Sequence, residues 1–361
     1  MPKENAGKIT SMTTIKEIAK LAGVSRSTVS RVLNNDENVS DQTRVKVQTI
    51  INKTGYQPSP VARSLISGRT HVLGLVVPMI VSSLFRDPFF SILAQGISSA
   101  CTLNNYTLML WLIEPHSEQR IYDNILNNRL IDGLIVSSSK IGDRLIERLI
   151  EKKTPLVQVG RNDCPGVSSV DADNIHGAMQ AVKHLVSIGR RQIATITGQM
   201  ELYSGVDRLA GYKRGLVESS LPILDERIAF GNFTEESGYN QTKLLLAKSK
   251  FDGLFVASDT MAFSAIQALQ EAGLRVPEDV AVVGFDDIPA AAHNHIPLTT
   301  VRQPIQKMGS IAAQTLIDQL EQKDTSTARR IILPTELVIR DSTKKSAFSN
   351  HYAPDQVQTT T

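Results

Sequence analysis

Residues 14–33 read TIKEIAKLAGVSRSTVSRVL, and this stretch decides the fold of the N-terminal part of the chain. Its apolar residues recur at helical spacing in two groups, which are Ile15, Ile18, Ala19 and Ala22, then Val29, Val32 and Leu33. Gly23 lies between the groups, and glycine readily adopts the left-handed conformation that ends a helix. Ser25 can then cap the next helix with its hydroxyl. The stretch therefore predicts two short helices joined by a tight turn.

The spacing of Ala19, Gly23 and Val29 is typical of a helix-turn-helix, in which two helices cross closely. The open face of the second helix carries hydrogen-bonding side chains, namely Arg26, Ser27, Thr28, Ser30 and Arg31. Arginine can bond bidentately to guanine in the major groove, and hydroxyls suit phosphates or base edges. Two arginines alone would also fit a solvated helix face, but the spacing favours double-stranded DNA as the partner.

Charge is distributed unevenly along the chain. Residues 1–70 carry eleven Lys and Arg against five Asp and Glu, whereas the remaining residues carry 28 against 31. A basic N-terminal part on a slightly acidic body is the electrostatic pattern expected of a nucleic-acid-binding head, because phosphate neutralisation supplies non-specific affinity.

The composition is that of an ordinary globular protein with two or three domains. The chain has 361 residues, 41% of them hydrophobic and 21% charged. We find no apolar run long enough to span a membrane and no signal-peptide pattern, so we expect no membrane association and a cytoplasmic location. Cys101 and Cys164 are isolated and lack metal-site spacing, so neither a metal site nor a disulfide is expected.

A third helix is predicted over residues 41–53, capped by Ser40, ended by Gly55, and with an apolar face of Val45, Val47, Ile50 and Ile51. It would complete a helix-turn-helix domain over residues 13–57. Residues 58–69 follow as a Pro-punctuated hinge with a short amphipathic segment. Residues 1–12 are polar and are expected to form a disordered extension, with Met12 as an alternative start.

From His71 the chain alternates short apolar strands with longer amphipathic helices. Strands are predicted over residues 72–77, 107–112, 133–136, 156–159, 193–197, 253–257 and 280–285. Helices are predicted near residues 88–103, 117–128, 142–152, 174–188, 206–219, 235–248, 259–272 and 304–321. This alternation predicts an α/β fold with two doubly wound parallel sheets and a ligand cleft between the carboxyl ends of their strands.

Residues that follow predicted strand ends are candidates for the cleft wall. They are hydrogen-bonding or aromatic, and include Asp87, Phe89, Arg161, Arg208, Phe233, Ser258 and Asp286. Carboxylates and arginines beside phenylalanines suit a polyhydroxylated ligand, since planar charged groups bind paired hydroxyls and rings cover C–H faces. For Asp173, Asp259 and Asp287 the alternative of a helix N-cap is favoured.

The sequence gives no sign of catalysis. We find no nucleophile elbow, phosphate-binding loop, dinucleotide fingerprint or zinc-protease motif. His293 and His295 flank Asn294, and with no third ligand nearby we interpret them as ordinary loop residues. The protein is not expected to be an enzyme or to need a cofactor.

Several long motifs together resemble one known family. They are TIKEIAKLAGVSRSTVSRVLNN at residues 14–35, YQPSPVARSL at 56–65, ASDTMAF at 257–263, and VPEDVAVVGFDDIP at 276–289 followed by LTTVRQP at 298–304. Over about residues 13–340 the chain resembles the LacI/GalR family of bacterial transcriptional regulators. The resemblance implies a helix-turn-helix head, a hinge helix, and a core like that of periplasmic sugar-binding proteins, with two subdomains joined by three crossing strands. It places the core at 70–341, with one subdomain over about 71–170 and 303–331 and the other over about 171–302 and 332–341.

The resemblance also implies roles in DNA binding. Arg26, Ser27 and Arg31 match base-reading positions, and Ala62 and Leu65 match hinge positions at the minor groove. Phosphate-contacting positions are matched by Thr14, Ser25, Thr28, Asn34, Ser40 and Thr43. In the family, a paired hinge leucine wedges into the DNA and kinks it.

For the effector, the resemblance implies contacts from Arg208, Asp286, Phe233 and Gln303, with Phe233 as the stacking aromatic, whereas Ser258 stands where some sugar-binding relatives carry Asn. The stretches VGRND and GVDRLAGY resemble members that sense glucosides more than those that sense purines. Family members are dimers on pseudo-palindromic sites. The tail at 342–361 lacks a leucine heptad, so we expect a homodimer with a disordered tail.

These observations predict a DNA-binding transcription regulator, a repressor of sugar uptake or catabolism genes, whose operator affinity is controlled by a mono- or disaccharide. A nucleoside or purine effector is the main alternative. Two rival classes are a sugar-binding transport component and a sugar-processing enzyme with an accessory head.

Overall fold

The computed structural model describes residues 14–33, 36–56, 69–77, 87–113, 118–137, 140–321 and 328–344. The chain divides into two compact units, Met1–Thr70 and His71–Thr361, which we call the head and the core. Several predicted features lie outside the described residues: the N-terminal extension, Asn34, the hinge helix with Ala62 and Leu65, and the tail beyond residue 344.

The head consists, in its described part, of three helices: α1 (Ile15–Ala22), α2 (Arg26–Leu33) and α3 (Asp41–Thr54). Thr14 begins α1 with a capping box, in which its side chain and that of Glu17 bond to each other's backbone N–H groups. Gly23 ends α1 with φ 61°, and the Ser25 hydroxyl accepts a 3.0 Å bond from Thr28 N at the start of α2. The predicted helix, glycine turn and cap are thus confirmed.

The head core is small and comes from all three helices. Its fully buried members are Ile18, Ala22, Val29 and Val47, and Ala19, Val32, Val39 and Ile51 are also buried. Val45 was wrongly predicted to join this face, because its side chain is 65% exposed. Val47 and Ile51 lie one helical turn apart and face inward, and a residue two positions before Val47 points to the far side.

The core contains twelve described strands: β1 (Val72–Val77), β2 (Thr107–Leu112), β3 (Gly133–Ser137), β4 (Leu156–Val159), β5 (Ser168–Ala172), β6 (Ile193–Thr197), β7 (Ile228–Phe230), β8 (Gly253–Val256), β9 (Ala281–Asp286), β10 (Thr299–Arg302), β11 (Arg330–Leu333) and β12 (Glu336–Val338). Its described α-helices are α4 (Pro88–Leu103), α5 (Glu118–Leu126), α6 (Arg144–Glu151), α7 (Asn174–Ser187), α8 (Tyr203–Glu218), α9 (Glu235–Lys248), α10 (Asp259–Glu271), α11 (Ala290–His293) and α12 (Ile305–Leu320). A 3₁₀ turn at Asp225–Arg227 precedes β7.

The strands form two six-stranded sheets. One sheet has the order β11-β5-β4-β3-β1-β2, and we call the part of the core built on it the N lobe. The other has the order β12-β10-β9-β8-β6-β7, and we call the part built on it the C lobe. Every described pairing is parallel except that of β12 with β10, which is antiparallel. The predicted pair of doubly wound sheets is confirmed, with one correction: the C-lobe sheet is mixed at its edge.

The chain passes between the lobes three times. It crosses at Asp173 between β5 and α7, at Gln303 and Pro304 between β10 and α12, and at Pro334 and Thr335 between β11 and β12. At each crossing the chain leaves one sheet and enters the other, and we call these three segments together the hinge region.

The ordered core extends beyond its expected end at Asp341. Ser342 is fully buried, its hydroxyl donates to the Val282 carbonyl over 2.7 Å, and it accepts from Thr299 N over 2.8 Å. Thr343 is also buried and its hydroxyl lies 2.9 Å from His184 Nε2. Residues 342–344 thus belong to the C lobe and not to the tail, because they complete hydrogen bonds of the β9 and β10 region.

Helices α4 and α12 of the N lobe pack with their backbones in close contact. A Cβ atom on Gly96 would lie 2.0 Å from the Gln306 carbonyl oxygen, and one on Gly309 would lie 2.3 Å from the Leu93 carbonyl oxygen. Only glycine fits at these two positions. None of the described helices combines the length and the apolar content needed to cross a bilayer.

We expect Gly96→Ala to lower the free energy of unfolding by about 1–3 kcal/mol, because the added methyl group would meet backbone that cannot yield locally. Chemical denaturation of the full chain measures this. Ser98→Ala, at an exposed site of the same helix, is the matched control and should leave the midpoint almost unchanged. Equal stability of the two variants would contradict the close backbone contact.

Candidate functional site

The first candidate site is the solvent-facing side of α2. Arg26, Ser27 and Arg31 are exposed there, above the buried Val29 and Val32. The Arg31 side chain is 62% exposed, and its only described ionic neighbour is Asp36, at 3.8 Å from Nε to Oδ2. An ion pair of that length at an exposed site contributes little to stability, so the guanidinium can leave Asp36 and bind another acceptor.

The predicted phosphate-contacting residues cluster at helix N-termini. Thr14, Ser25 and Ser40 stand at the starts of the three head helices, where their side-chain oxygens accept backbone N–H bonds. Thr28 and Thr43 hydrogen-bond to two of these capping hydroxyls, over 2.8 and 2.9 Å. Capping alone accounts for the residue types, and the positive ends of helix dipoles also attract phosphates.

The second candidate site is a cavity of about 530 Å³ between the two lobes of the core. The structure brings all eight predicted effector residues to its wall: Asp87, Phe89, Arg161, Arg208, Phe233, Ser258, Asp286 and Gln303. They come from both lobes and from one crossing segment. A molecule in this cavity would therefore touch both lobes and the hinge region.

Arg208 of α8 is the centre of the first polar group in the cavity. Its side chain is buried; Nε donates to Asn174 Oδ1 over 2.9 Å, and Nη1 donates to Asp286 Oδ1 over 3.3 Å and to the Ala257 carbonyl. The guanidinium carbon lies 3.8 Å from the centre of the Phe285 ring. We call Arg208, Asn174, Asp286, Gln303 and Phe233 the inner group.

Asp286 ends β9 and receives two donors on one oxygen. Besides Arg208, the Gln303 amide donates to its Oδ1. Burial raises the pKa of Asp286 to about 7; Arg208 opposes this rise and the carboxylate of Asp87 adds to it. Burial likewise raises the pKa of Asp171 to about 6 and raises that of Asp87. Among these three carboxyl groups, Asp286 has a raised pKa that lies close to neutral pH.

Two residues of the inner group have strained backbone conformations. Phe233 has φ 68° and Asp286 has φ 117°, which is the region that favours glycine. A Cβ atom on Gly198 would lie 1.9 Å from Cζ of Phe233, so the tip of the ring packs against backbone that carries no side chain. Strained non-glycine residues persist where the surrounding structure holds them, and they are frequent in ligand sites.

A second polar group joins the two lobes across the cavity, and we call Arg161, Asp163, Tyr203, Asp207 and Ser137 the outer group. Arg161 of the N lobe donates to Asp207 Oδ1 of the C lobe over 2.7 Å, and its guanidinium carbon lies 4.3 Å from the centre of the Tyr203 ring. The Tyr203 hydroxyl donates to Asp163 Oδ2 over 2.8 Å.

Sequence reasoning missed most of the outer group. Ser137 directly follows a predicted strand and could have been found by the same rule as Arg161. Tyr203 lies before the predicted start of its helix at residue 206, and the structure begins this helix, α8, at Tyr203. Asp207 is adjacent to Arg208, and no sequence signal separates their roles.

The three aspartates interpreted as N-caps have different outcomes. Asp173 caps α7 by accepting from His176 N over 3.0 Å, as predicted. Ser258, not Asp259, caps α10, and Asp259 is buried where it accepts from Thr300 and from Ile288 N. Asp287 does not cap a helix either, because Arg302 and Arg340 each donate to it over 2.6 Å.

Two further aspects of the cavity wall limit its chemistry. Asp87 caps α4 through Phe89 N, and Ser258 accepts from Met261 N, so each has a structural role as well. In the described ranges, no cluster of three or more His, Cys, Asp or Glu residues has the arrangement of a metal site.

Comparison with known families gives two matches, one in the head and one in the core. The model of bacterial regulatory proteins of the lacI family matches residues 14–59, and a periplasmic binding protein-like domain matches residues 182–343. The first match covers the helices of the head, and the second covers most of the C lobe.

Full-length relatives agree with this. The chain is 37% identical over 333 residues to the HTH-type transcriptional regulator CelR of Thermobifida fusca, covering 91% of this chain and 98% of that protein. It is 35% identical over 339 residues to the HTH-type transcriptional repressor PurR of Aliivibrio fischeri, with 92% and 98% covered. These relatives are transcriptional regulators and not enzymes.

Solved structures are similar over the same length. A complex of the transcriptional regulator CelR with cellobiose has a TM-score of 0.73 at 35% identity, with 91% of this chain and 99% of that chain covered. A lac repressor dimer bound to operator and the anti-inducer ONPF has a TM-score of 0.79 at 27% identity, with 92% and 99% covered. With relatives at this identity over nearly their whole length, the chain belongs to the LacI family of bacterial regulatory proteins and is a DNA-binding transcription regulator of the repressor type.

Proposed function

We propose that this protein is a cytoplasmic repressor of genes for sugar uptake or catabolism, and that a small neutral sugar bound between its lobes controls its affinity for operator DNA. It would act as a homodimer on a pseudo-palindromic site. The observation that carries the sugar assignment is the inner group, in which a buried arginine and carboxylate lie with the aromatic ring of Phe233 in a cavity between two lobes.

The DNA-binding part of the proposal rests on α2. Its outward residues Arg26, Ser27 and Arg31 are exposed, and its inward residues pack into the head core. An arginine at such a position can read guanine bidentately, whereas the capping hydroxyls at the helix N-termini suit phosphates. The similar lac repressor structure is a dimer bound to operator, and we extend that arrangement to this chain.

The sugar assignment follows from the excess of acceptors in the cavity. Five carboxylates line it, from Asp87, Asp171, Glu235, Glu236 and Asp286, against three cations, Lys140, Arg161 and Arg208. A sugar offers a hydroxyl donor on nearly every ring carbon, whereas a purine presents several ring-nitrogen acceptors that need donors from the protein. The Phe233 ring can cover the apolar face of a sugar ring. The relative CelR was solved with cellobiose, which supports the same class.

A purine effector is the second candidate, because PurR repressors are among the relatives at 35% identity. A thermal-shift screen of the full chain against neutral sugars, sugar phosphates, nucleosides and purine bases separates the two, since a ligand that binds the folded state raises Tm. A shift with sugars alone supports the proposal. A shift with purines alone would refute the sugar assignment and leave DNA binding intact.

Control of DNA binding would come from the lobe geometry. In the present arrangement Arg161 bridges to Asp207, and Ile141 N donates to the Glu201 carbonyl across the lobes over 2.8 Å. A sugar that contacts both lobes stabilises the lobe arrangement that it fits best, and it changes operator affinity only as far as it binds that state more tightly.

Arg31→Ala should weaken binding to the specific operator by about 1–3 kcal/mol and change non-specific binding much less, because base contacts specify while phosphate contacts position. The operator is first selected from random duplexes, and affinities are then measured at fixed salt. Arg144→Ala, which removes the same charge from an exposed site in the core, is the control. An equal loss on both kinds of DNA would remove Arg31 from base reading.

Asp286→Asn should leave operator affinity without sugar unchanged and reduce the sugar response by more than about tenfold, since the amide loses the charged acceptor that holds Arg208. The response is measured as the sugar concentration that halves, or doubles, operator binding. Asp279→Asn, at an exposed ion pair with Arg275, serves as the control. A normal response in Asp286→Asn would exclude this carboxylate from the effector site.

Sugar affinity should rise as the pH increases from about 5.5 to about 8, because hydroxyl donors prefer the deprotonated carboxylates and binding then releases protons. The expected window follows from the raised pKa values of Asp171, about 6, and Asp286, about 7. Calorimetry in two buffers of different ionisation enthalpy measures the released protons directly. Proton uptake on binding would contradict this protonation scheme.

A further inference from the structure

The cavity contains a second set of ligand-binding groups that the inner group does not use. We propose that the outer group forms a second sugar subsite, so that the effector contains at least two linked, unphosphorylated sugar units. This inference rests on the proposed function, because it takes the sugar assignment of the inner group as given.

Arg161 is held in place so that one donor remains unused. Nη1 donates to Asp207 over 2.7 Å, Nη2 lies 3.8 Å from Asp163 Oδ2, and the guanidinium stacks on the Tyr203 ring. The Nε atom is buried and has no hydrogen-bond partner in the described part of the chain. A planar group held by an ion pair and by ring stacking, with a buried N–H that has no acceptor, is a preorganised donor for a ligand hydroxyl or ring oxygen.

Ser137 supplies a second unpaired polar atom. It ends β3 at the cavity wall, and its hydroxyl is buried without a hydrogen-bond partner among the described residues. Leaving such a group unsatisfied is unfavourable, and a bound molecule can recover that cost. A hydroxyl can both donate and accept, and a second hydroxyl group is therefore its natural complement.

The two groups are adjacent but separate. Asp207 and Arg208 are consecutive in α8, and Asp207 turns to Arg161 whereas Arg208 turns to Asp286. Side chains of consecutive helical residues diverge by about 100°, so one ring on the inner group would not occupy both. A second ring linked to the first can reach Arg161, Ser137 and the edge of Tyr203.

The charges of the outer group favour a neutral second unit. One guanidinium, Arg161, has Asp207 as its close partner and Asp163 at 3.8 Å, and Lys140 is a second cation on the cavity wall. A phosphorylated second unit would bring its negative charge close to the carboxylates of Asp163 and Asp207, which repel it.

The test compares affinities of matched ligands by calorimetry with the full chain. The panel contains glucose, galactose, mannose and xylose, disaccharides built from each with several linkages, and glucose 6-phosphate and trehalose 6-phosphate. A neutral disaccharide is expected to bind at least about tenfold more tightly than its constituent monosaccharides, which corresponds to roughly one or two additional hydrogen bonds. The phosphorylated sugars are expected to bind more weakly than their neutral counterparts.

Variants then assign the subsites. Ser137→Ala, Arg161→Lys and Tyr203→Ala should each lower the affinity for the disaccharide about two- to tenfold more than that for the monosaccharide. Phe233→Ala in the inner group should lower both affinities by the same factor. Ser98→Ala, on the outside of the N lobe, is the control for both, and Tm values verify that each variant folds.

The outcomes separate this inference from the proposed function. If a monosaccharide binds as tightly as every disaccharide built from it, or if outer-group variants affect both ligands equally, the second subsite is refuted and the sugar assignment stands. Tighter binding of a sugar phosphate also refutes it. If no sugar of the panel binds, the proposed function fails and this inference fails with it.

Discussion

The buried guanidinium of Arg208 is the interaction on which the effector cavity depends. A charge that is removed from water must be paired and hydrogen-bonded, or the fold is strongly destabilised. Arg208 finds its partners on several separate elements, at the start of α7, at the end of β8, and on Asp286 at the end of β9. These segments are thereby fixed relative to one another, and Asp286 is held at φ 117° although it is not glycine. The site is therefore organised before any ligand enters.

The position of Arg208 in α8 has a second consequence. The preceding residue, Asp207, forms the ion pair with Arg161 of the opposite lobe. A ligand that shifts Arg208 would therefore shift the same turn of α8 that carries Asp207, whose ion pair with Arg161 connects the lobes. Helices transmit small shifts as rigid bodies, so ligand contacts and lobe contacts are mechanically connected without any long pathway. The three crossings at Asp173, Gln303 and residues 334–335 supply the hinge about which such a shift can occur.

Local sequence patterns predicted the head and most of the sheets, because their signals are local. The helix-turn-helix depends on caps and on a glycine within one stretch, and the central strands are continuous apolar runs that parallel sheets require. Strand β5 reads SSVDA and was not predicted, because its polar residues do not form an apolar run. Its first three residues are nevertheless buried. Strands β7 and β12, with three residues each, were not predicted either, nor were β10 and the edge strand β11. Their pairing depends on neighbours far away in the sequence.

The cleft residues were predictable for a topological reason, whereas their partners were not. The carboxyl ends of parallel strands meet at one edge, so residues after strands converge whatever their distance in sequence. Whether a given carboxylate caps a helix or binds an arginine depends on the tertiary structure, which brings together residues that are distant in sequence. Asp287 illustrates this, because Arg302 and Arg340 reach it from β10 and from the segment after β12. A single sequence contains no sign of such a pairing.

The contacts between the lobes indicate that little free energy is needed to change the arrangement of the lobes. Arg161 is 41% exposed at its side chain, and an ion pair at such a site contributes about 0–1 kcal/mol. The Ile141–Glu201 and Tyr203–Asp163 hydrogen bonds add about 1 kcal/mol each, and the stacking of Arg161 on Tyr203 adds about 0.5–1 kcal/mol. Against these few cross-lobe terms, a ligand with several hydrogen bonds to both lobes has enough differential affinity to shift the lobe arrangement, since each 1.4 kcal/mol changes a population ratio about tenfold. Under the proposed function, weak direct contact between the lobes would let a small neutral molecule act as an effective signal.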